Sequence, residues 1–375
     1  MSNPYLRKGI AAGVLIALSG TAHAGTISNG NNASVTIGGY VDRALWYADD
    51  GKDSTTAVVD NENLSSRFFI AGESKVNESL TAGFLMEFDF RDNSSSSVTI
   101  DDANAGNGGV GTGGVGATTF SQRHMDAYFS HVTLGKLSIG QGASASDGAA
   151  EVDMSGTGIV AYSGIADMAA AVKFRTAAGG YGPAIGTVSS NMDGLSLDDR
   201  VRYDTPSFAG FGLATSYISG GAGDVGVNFS GKFGGVDVGA AVAYFNNSAN
   251  NTTDDGGYVG SVSAKHDSGI SLTVASGKTL KKASGTDDPT FVYGKLAYTA
   301  GLTSLGDTSF GVDYGLYEDV AQNGDEMTTF GLQVVQAIAD AGTEVYLGYR
   351  NHELDRTGTS YDDIMAVMAG VNVAF

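Results

Sequence analysis

Two glycine-containing stretches are the first candidates for chemistry, because phosphate-binding loops use such spacings. Residues 106–111 read GNGGVG and match the G-x-G-x-x-G pattern of dinucleotide-binding folds. That pattern needs a strand before it and a helix after it, whereas the chain continues as TGGVG, a glycine-rich loop. Residues 276–279, SGKT, end like a P-loop, but Leu272 stands where its first glycine belongs. Neither stretch predicts nucleotide chemistry.

Hydrolytic and metal chemistry find equally little support. The histidines are scattered without zinc spacing, and no G-x-S-x-G nucleophile motif occurs. Acidic pairs are the remaining ligand candidates, since carboxylate oxygens could bind Ca²⁺ weakly; the alternative is that they are simply solvated. These pairs are Asp49-Asp50, Asp254-Asp255 and Asp362-Asp363. We expect no cofactor and no enzymatic activity.

The first residues read as a targeting segment. Arg7 and Lys8 precede an apolar stretch that ends at Ala22-His23-Ala24, a small-x-small cleavage site. The stretch is shorter than the ~20 residues that a membrane-spanning helix requires. We predict that residues 1–24 are a cleaved signal peptide and that residues 25–375 form one exported domain.

The composition narrows the class of protein. With 41 acidic against 21 basic residues, the net charge of −20 argues against nucleic acid and against an anionic membrane surface as partners. The absence of cysteine excludes disulfides as a source of stability. The chain holds 56 glycines and only 4 prolines, which favours many strands joined by tight turns.

Alternation with a period of two residues recurs along the chain. In ASVTIGGYV, Val35, Ile37 and Val41 share one face, and Asp42 lies on the other. The last stretch, YDDIMAVMAGVNVAF, alternates in the same way and ends on Phe375. We find no sustained helical periodicity outside the signal, so the fold class is all-β.

The connections between strands alternate in length. Seven short turns and eight longer polar loops predict sixteen antiparallel strands, as in a transmembrane β-barrel, whose closure satisfies every backbone group. The alternative is a secreted β-rich adhesin or surface-layer protein, but no repeat of 20 to 50 residues appears. The short turns are predicted near 74–79, 135, 208–211, 234–235, 267–269, 300–306 and 339–342. The long loops are predicted near 48–63, 92–120, 142–199, 219–224, 246–257, 280–289, 318–325 and 353–361.

Three stretches resemble the general porins of Gram-negative bacteria. SSRFFIAGESKVNESLTAGFLMEFDF is similar to the second and third strands of that family, and DDRVRYDTPSFAGFGLATSY to its Val-Arg-Tyr-Asp segment. VNVAF resembles its terminal strand. The resemblance implies a homotrimeric outer-membrane barrel whose third extracellular loop folds inward and narrows a water-filled pore. It also implies outer-membrane lipid, lipopolysaccharide and the barrel-assembly machinery as partners, with Phe375 as the assembly signal.

In that family, basic side chains on the barrel wall face carboxylates on the infolded loop and select ions. Arg67 matches a family wall arginine by its place in SSRFFIAG. Arg123 shares parity with Phe129 and is predicted to point inward, opposite Tyr128. The alternative for each arginine is a solvated or interface-anchoring charge. The complete set of wall candidates is Arg67, Arg123, Arg200 and Arg202.

The carboxylate candidates fall into two groups. Glu87 matches a lumen-facing glutamate of the family, and the alternative is a hydrogen-bonded wall carboxylate that positions an arginine. Asp42 shares the inward face of its strand. The infolded loop is expected within GASASDGAAEVDMSGTGIVAYSGIADMAAAVKFR, although it lacks the family's Pro-Glu-Phe-Gly-type sequence, and exposed loop acids are the alternative. Its candidates are Asp147, Glu151, Asp153 and Asp167.

The sequence therefore predicts a general diffusion porin that passes small hydrophilic solutes and ions and prefers cations. A substrate-specific porin with a saturable site is the alternative within transport. The closing strand is predicted to pair with residues 34–47, with its apolar face toward lipid or a neighbouring subunit. Gly370 and Asn372, on its other face, are then expected to look into water.

Overall fold

A computed structural model describes residues 25–28, 32–91, 93–100 and 119–375. Residues 1–24, where the signal peptide is predicted, and residues 106–111, the GNGGVG stretch, lie outside the described part. The strands are β1 Gly25–Ser28, β2 Ala33–Asp49, β3 Ser54–Asp60, β4 Arg67–Lys75, β5 Leu80–Arg91, β6 Thr119–His131, β7 Gly135–Ala143, β8 Lys173–Thr176, β9 Tyr181–Ala184, β10 Leu197–Asp204, β11 Phe211–Ile218, β12 Gly223–Phe233, β13 Val236–Asn246, β14 Asp254–His266, β15 Ile270–Lys281, β16 Thr290–Thr303, β17 Gly306–Glu318, β18 Asp325–Ile338, β19 Thr343–Arg356, β20 Tyr361–Asp362 and β21 Ile364–Ala374.

The described strands close into a sixteen-stranded antiparallel β-barrel, which confirms the predicted fold. Each barrel strand pairs with its neighbour along the chain, and β7 pairs with β10 across a long connection. β21 pairs with both β19 and β2, and Asp42 lies opposite Asn372 in the closing register. The predicted pairing of the last strand with the first is therefore confirmed. The seven predicted short turns all join consecutive strands at one end of the barrel.

The first predicted loop, 48–63, was wrong in its extent. The chain turns within residues 50–53, and β3 returns along the second half of β2, with Asp49 opposite Ser54. β4 pairs with the first half of β2, so β3 and β4 together make one barrel strand that is broken at residues 61–66. A short 3₁₀-helix, Glu62–Leu64, fills the break, capped by the side chain of Asn61.

The predicted alternation separates an outer from an inner face. On β2, Leu45 is 60% exposed and Trp46 is fully buried. Apolar side chains on the outer face would cost free energy in water but are favourable against lipid, while closure leaves no unpaired strand edge. Arg43 also lies on the outer face, and its guanidinium is 3.6 Å from the carboxylate of Asp60, where β3 ends.

The inside of the barrel is packed over much of its wall. The connection from β7 to β10, residues 144–196, enters the barrel, and we call it the inner loop. The indole N–H of Trp46 donates to the carbonyl of Met168 in this loop at 2.6 Å. Gly370 and Asn372 point inward as predicted, but Asn372 is fully buried and Gly370 lies against the ring of Tyr346. The expectation that both look into water was wrong, because side chains from the neighbouring strands cover them.

Helices contribute little to the described chain. One α-helical turn, Ile185–Val188, lies in the inner loop, and two further 3₁₀-helices span Ile165–Met168 and Ala339–Ala341. Among the described residues, no helix is long and apolar enough to cross a membrane. A second sheet of three short strands, β9, β8 and β20, joins the end of the inner loop to the last long connection.

The terminal residue, Phe375, packs against Gly39. The amide of Phe375 donates to the carbonyl of Gly39 at 2.9 Å, and the amide of Gly39 donates back at 3.1 Å. A Cβ at Gly39 would lie 2.4 Å from the carbonyl oxygen of Arg67 and 2.9 Å from the Phe375 ring. Only glycine fits between β4 and the terminal ring.

We expect Gly39→Val to weaken the closing contact by about 1–3 kcal/mol, the usual cost of overpacking. The measurement is the urea midpoint of the protein refolded in detergent. Gly294→Val is the matched control, because a Cβ at Gly294 meets nothing within 4 Å. Equal urea midpoints for the two variants would contradict the proposed packing of Phe375 on Gly39.

Candidate functional site: the inner loop and the facing wall

Glycines on the inner wall let the inner loop approach the strands closely. A Cβ at Gly226 would lie 2.4 Å from the carbonyl oxygen of Ala145, and one at Gly348 would lie 2.5 Å from the side chain of Val160. A larger residue at either position would force the inner loop or its side chains to shift. The high glycine content thus has a structural use on the inner wall as well as in turns.

The start of the inner loop is anchored on β12 and β11. The carboxylate of Asp224 accepts from the amides of Ala145 and Ser146, at 3.2 and 2.9 Å, and from the Ser146 hydroxyl at 2.6 Å. The hydroxyl of Ser216 accepts from the Ala145 amide at 2.7 Å. Further along, the amides of Val152 and Met154 donate to serine hydroxyls of β14. The loop therefore follows the wall by hydrogen bonds from its backbone to short polar side chains.

The end of the inner loop is anchored near the barrel rim. Arg175 is buried, and its guanidinium donates to Asp50 at 2.7 Å and also to Asp53. Its guanidinium also lies 4.0 Å from the centre of the Tyr181 ring. Lys52 bonds Asp362 at 2.8 Å, which ties the first and last long connections together.

One member of each acidic pair that was considered as a weak calcium ligand bonds a protein cation. Asp50 bonds Arg175, Asp254 bonds Lys281 at 2.7 Å, and Asp362 bonds Lys52. In the part of the chain that the structure describes, no group of three or more histidine or acidic side chains is arranged to hold a metal ion.

Arg67 and Arg123 share one carboxylate on the wall opposite the inner loop. Both guanidinium groups donate to the same oxygen of Glu87, at 3.2 and 2.9 Å. Arg67 also lies 5.4 Å from the ring centre of Tyr40. The three charged side chains form a row across β4, β5 and β6, all on the inner face.

Arg123 reaches the inner face for a different reason from the one predicted. The β5–β6 register shifts between Glu87, opposite His124, and Phe88, opposite Gln122, which leaves Arg123 as the extra residue of a β-bulge. Beyond the bulge, Phe129 is 58% exposed and faces outward. The parity argument was therefore wrong for this strand, because a bulge resets the alternation.

Arg200 and Arg202 lie on the inner face of β10, and both are buried. The guanidinium of Arg200 donates to Asp126 at 2.5 Å and to the carbonyl of Ala143 at 2.9 Å. Arg202 bonds Asp204 at 2.8 Å and also donates to backbone carbonyls at the start of the inner loop. All four wall arginines thus have a carboxylate partner.

Asp42 is on the inner face but is fully buried. Its carboxylate accepts from the hydroxyl of Tyr346 at 2.5 Å and from the amides of Asn61 and Asn372 at 3.3 Å. Asp42 thus belongs to a buried hydrogen-bond network behind the inner loop. The sequence had predicted that its carboxylate lies on the open lumen.

The inner-loop carboxylates are placed in two different environments. Asp153 is paired with buried Lys295 at 2.6 Å. Asp147, Glu151 and Asp167 remain half-buried, and no lysine, arginine or histidine nitrogen of the described chain lies within 4 Å of them. Burial raises the pKa of Asp147, and the charges of Arg123 and Arg202 oppose this rise.

A cavity of about 260 Å³ brings Glu151 and Asp167 together with Asp193. Asp193 accepts from the amides of Gly148 and Ala150, at 3.0 and 3.3 Å. Burial raises the pKa of Asp193 to about 7, and the charge of Asp147 adds to the rise. Burial likewise raises the pKa of Asp167 to about 7.

Sequence reasoning missed Asp193, Lys136 and Asp126 as lumen charges. Asp193 belongs to the returning half of the inner loop, where no strand pattern gives a direction to a side chain. Lys136, with its ammonium 4.2 Å from the centre of the Tyr128 ring, and Asp126 could have been found once the bulge in β6 was known. The signal for them is the register and not any motif.

Comparison with known proteins agrees with this architecture. The chain matches the sequence family described as Gram-negative porin over residues 11–357. No curated protein matches the chain. The chain therefore belongs to the Gram-negative porin family, and its fold and family are those of an outer-membrane porin channel.

Several solved structures, two of them porins, share the fold at low identity. An anion-selective porin from Comamonas acidovorans has 16% identity and a TM-score of 0.60, covering 92% of this chain and 100% of its own. The trimer form of OmpT from Vibrio cholerae has 17% identity and a TM-score of 0.55, covering 92% and 100%. A mutant porin of Rh. blastica has 14% identity and a TM-score of 0.55, covering 91% and 100%. At these identities the likeness shows the fold alone.

Proposed function

We propose that this porin is a passive channel for small hydrophilic solutes and ions, and that it prefers cations. The observation behind the proposed cation preference is that the arginines inside the barrel have carboxylate partners, whereas several carboxylates there have no basic partner. Arg67 and Arg123 share Glu87, and Arg200 and Arg202 pair with Asp126 and Asp204. By contrast, Asp147, Asp167 and Asp193 have no basic nitrogen within 4 Å in the described chain, whereas burial raises the pKa of Glu151 and favours its neutral form. Uncompensated negative charge lowers the free energy of a cation in the passage and raises that of an anion.

The passage is proposed to run between the arginine wall and the inner-loop carboxylates. The charges of Arg123 and Arg202 act on the carboxylate of Asp147 without an ion pair to it, which supports a passage bordered by charges of opposite sign. The likeness to an anion-selective porin supports the opposite sign only weakly, because 16% identity does not carry over individual charges.

Liposome swelling tests the mode of transport. Vesicles that contain the refolded protein are diluted into sugars of increasing size, and the swelling rate is compared at rising concentration. A general pore sorts solutes by size alone, with rates that do not saturate. Saturation with one sugar would instead favour the substrate-specific alternative, and the absence of swelling for every sugar would contradict an open passage.

Cation preference is expected to fall on acidification. Since the pKa values of Asp167 and Asp193 are raised to about 7, both are largely charged at about pH 8 and neutral at about pH 5. The ratio of potassium to chloride permeability, measured in bilayers, should decrease reversibly between these pH values. The variant Asp167→Asn/Asp193→Asn should begin with a lower ratio and change less. A wild-type ratio that is independent of pH would contradict the assignment.

The assembly is proposed to be a homotrimer with an aromatic contact surface. On the outer face of β4, β5 and β6, the rings of Phe68, Phe88, Phe90 and Phe120 stack with centres 4.9 to 6.3 Å apart. Such a cluster is favourable against a second subunit, and a trimer form is known for the structurally similar OmpT. Light scattering of the detergent-solubilised protein measures the mass directly, and a monomer would contradict this proposal.

Several further roles follow from the family and remain proposals. Residues 1–24 direct export and are removed. Phe375 is the element that the barrel-assembly machinery recognises, and lipopolysaccharide contacts the outer leaflet side. The channel needs no cofactor and performs no enzymatic reaction.

A further inference from the structure

Lys295 is a buried cation that the inner loop surrounds. It projects inward from the middle of β16, and its side chain is fully buried. The ammonium contacts four acceptors, and all of them belong to the inner loop. They are a carboxylate oxygen of Asp153 at 2.6 Å, the hydroxyls of Ser155 at 3.2 Å and Thr157 at 3.0 Å, and the carbonyl of Ala161 at 2.5 Å.

The sequence of the loop suits this arrangement. Asp153, Ser155 and Thr157 are separated by single residues, and a bend at Ser155 and Gly156, where Gly156 has a φ of +77°, brings all three toward one point. Asp153 also accepts from the Ser155 amide at 2.8 Å and from the hydroxyl of Thr273 at 3.1 Å. A buried ammonium needs such a complete set of acceptors, because each missing one would leave a desolvated charge unpaired.

The point at which Lys295 holds the inner loop links this residue to the proposed passage. Upstream, Asp224 holds residues 145 and 146; downstream, Lys295 holds residues 153–161. The segment between the two anchors carries Asp147, which the proposed function relates to the arginine wall, and Glu151, which lines the cavity. The distance between wall and loop therefore depends on these two anchors, together with the serine hydroxyls of β14 that hold the amides of Val152 and Met154.

We infer that Lys295 is a positioning residue, whose ammonium fixes the inner loop so that the channel has one open conformation with Asp147 and Glu151 at a constant distance from the arginines. The inference rests on the proposed channel function. Lys295 then controls ion selectivity through the inner loop, although it lies on β16 and is 148 residues from Asp147 in sequence.

Single-channel recording of the refolded full-length protein tests this role. For Lys295→Met we expect loss of the single open level, which is replaced by several levels, and a shift of the zero-current potential toward zero in a potassium chloride gradient. Lys232→Met is the control of equal charge change, because Lys232 is an exposed residue that pairs with Asp237 and Asp267 at the short-turn end. This control should keep the wild-type level.

A double variant separates positioning from stability. Lys295→Met combined with Asp153→Leu leaves no unpaired buried charge, so the thermal stability of the protein should recover. If Lys295 positions the loop, the double variant still shows several levels and the shifted potential. Recovery of the single level together with stability would overturn the inference, as would a wild-type level in Lys295→Met. Absence of any channel in the wild-type protein would instead refute the proposed function itself.

Discussion

Neutralising three inner-loop carboxylates together, as Asp147→Asn, Asp167→Asn and Asp193→Asn, is expected to lower the cation-over-anion permeability ratio about tenfold at about pH 8. A unit charge about 8 Å from a permeating ion in water contributes about 0.5 kcal/mol before screening, with opposite signs for cation and anion. Salt screening at this distance reduces the effect by roughly half. Three such charges, none with a basic partner within 4 Å in the described chain, then account for the expected change.

The measurement is the zero-current potential in a potassium chloride gradient across a planar bilayer. Its control removes three carboxylates that are exposed near the long-loop end of the barrel, as Asp255→Asn, Asp287→Asn and Asp355→Asn. These variants carry the same change in net charge. Equal ratios for the two triple variants would show that overall acidity, and not the inner loop, sets the selectivity.

Removing one member of the buried pair Arg350–Asp313 is expected to have the largest effect on stability. The guanidinium of Arg350 donates to Asp313 at 2.9 Å, and both side chains are buried. The carboxylate also accepts from the Tyr293 hydroxyl at 3.0 Å and from Gln333 at 2.8 Å. Arg350→Met leaves the carboxylate buried without a counter-charge, at a cost of about 3–5 kcal/mol.

The free energy of unfolding in urea, measured in detergent, gives the loss for Arg350→Met. In the double variant Arg350→Met/Asp313→Leu most of the loss should be regained, because no unpaired charge remains. Lys278→Met is the comparison at an exposed pair, where Lys278 bonds Asp288 at 3.0 Å, and about 0–1 kcal/mol is expected. Similar losses for Arg350→Met and Lys278→Met would show that the buried pair contributes little.

The barrel could be predicted because its strands face two environments. Leu45 against lipid and Trp46 against the interior follow from an alternation that is visible in the sequence, and each short turn interrupts it. The hairpin at residues 50–53 escaped prediction, because STTAVVD carries as much polar character as the loops around it. A strand that pairs with only half of its neighbour leaves a weaker pattern than a full-length strand.

The site was less predictable, since its contacts depend on three-dimensional register. Arg67 could be placed on the inner face from parity and resemblance, and its guanidinium indeed lies there beside Glu87. Arg123 shows the limit of parity, because a single bulge reverses the rule for half a strand. Whether these arginines line the constriction stays a prediction.

The inner loop posed the hardest problem. Asp153 and Asp167 have the same chemistry and lie in the same loop, yet Asp153 bonds a lysine 142 residues away and Asp167 lines a cavity. No local pattern distinguishes them, because an irregular segment has no periodicity to give the direction of a side chain. Only the packing of the loop against β14, β15 and β16 separates a structural carboxylate from one that can act on ions.

The zero-current potential of the wild-type protein is the most direct test of the proposed cation preference. Refolded protein is inserted into a planar bilayer that separates two potassium chloride concentrations at about pH 8, above the raised pKa values of Asp167 and Asp193. We predict a potential of the sign given by potassium moving down its gradient. A potential of the opposite sign would show that the arginine wall outweighs the inner-loop carboxylates and would contradict the account.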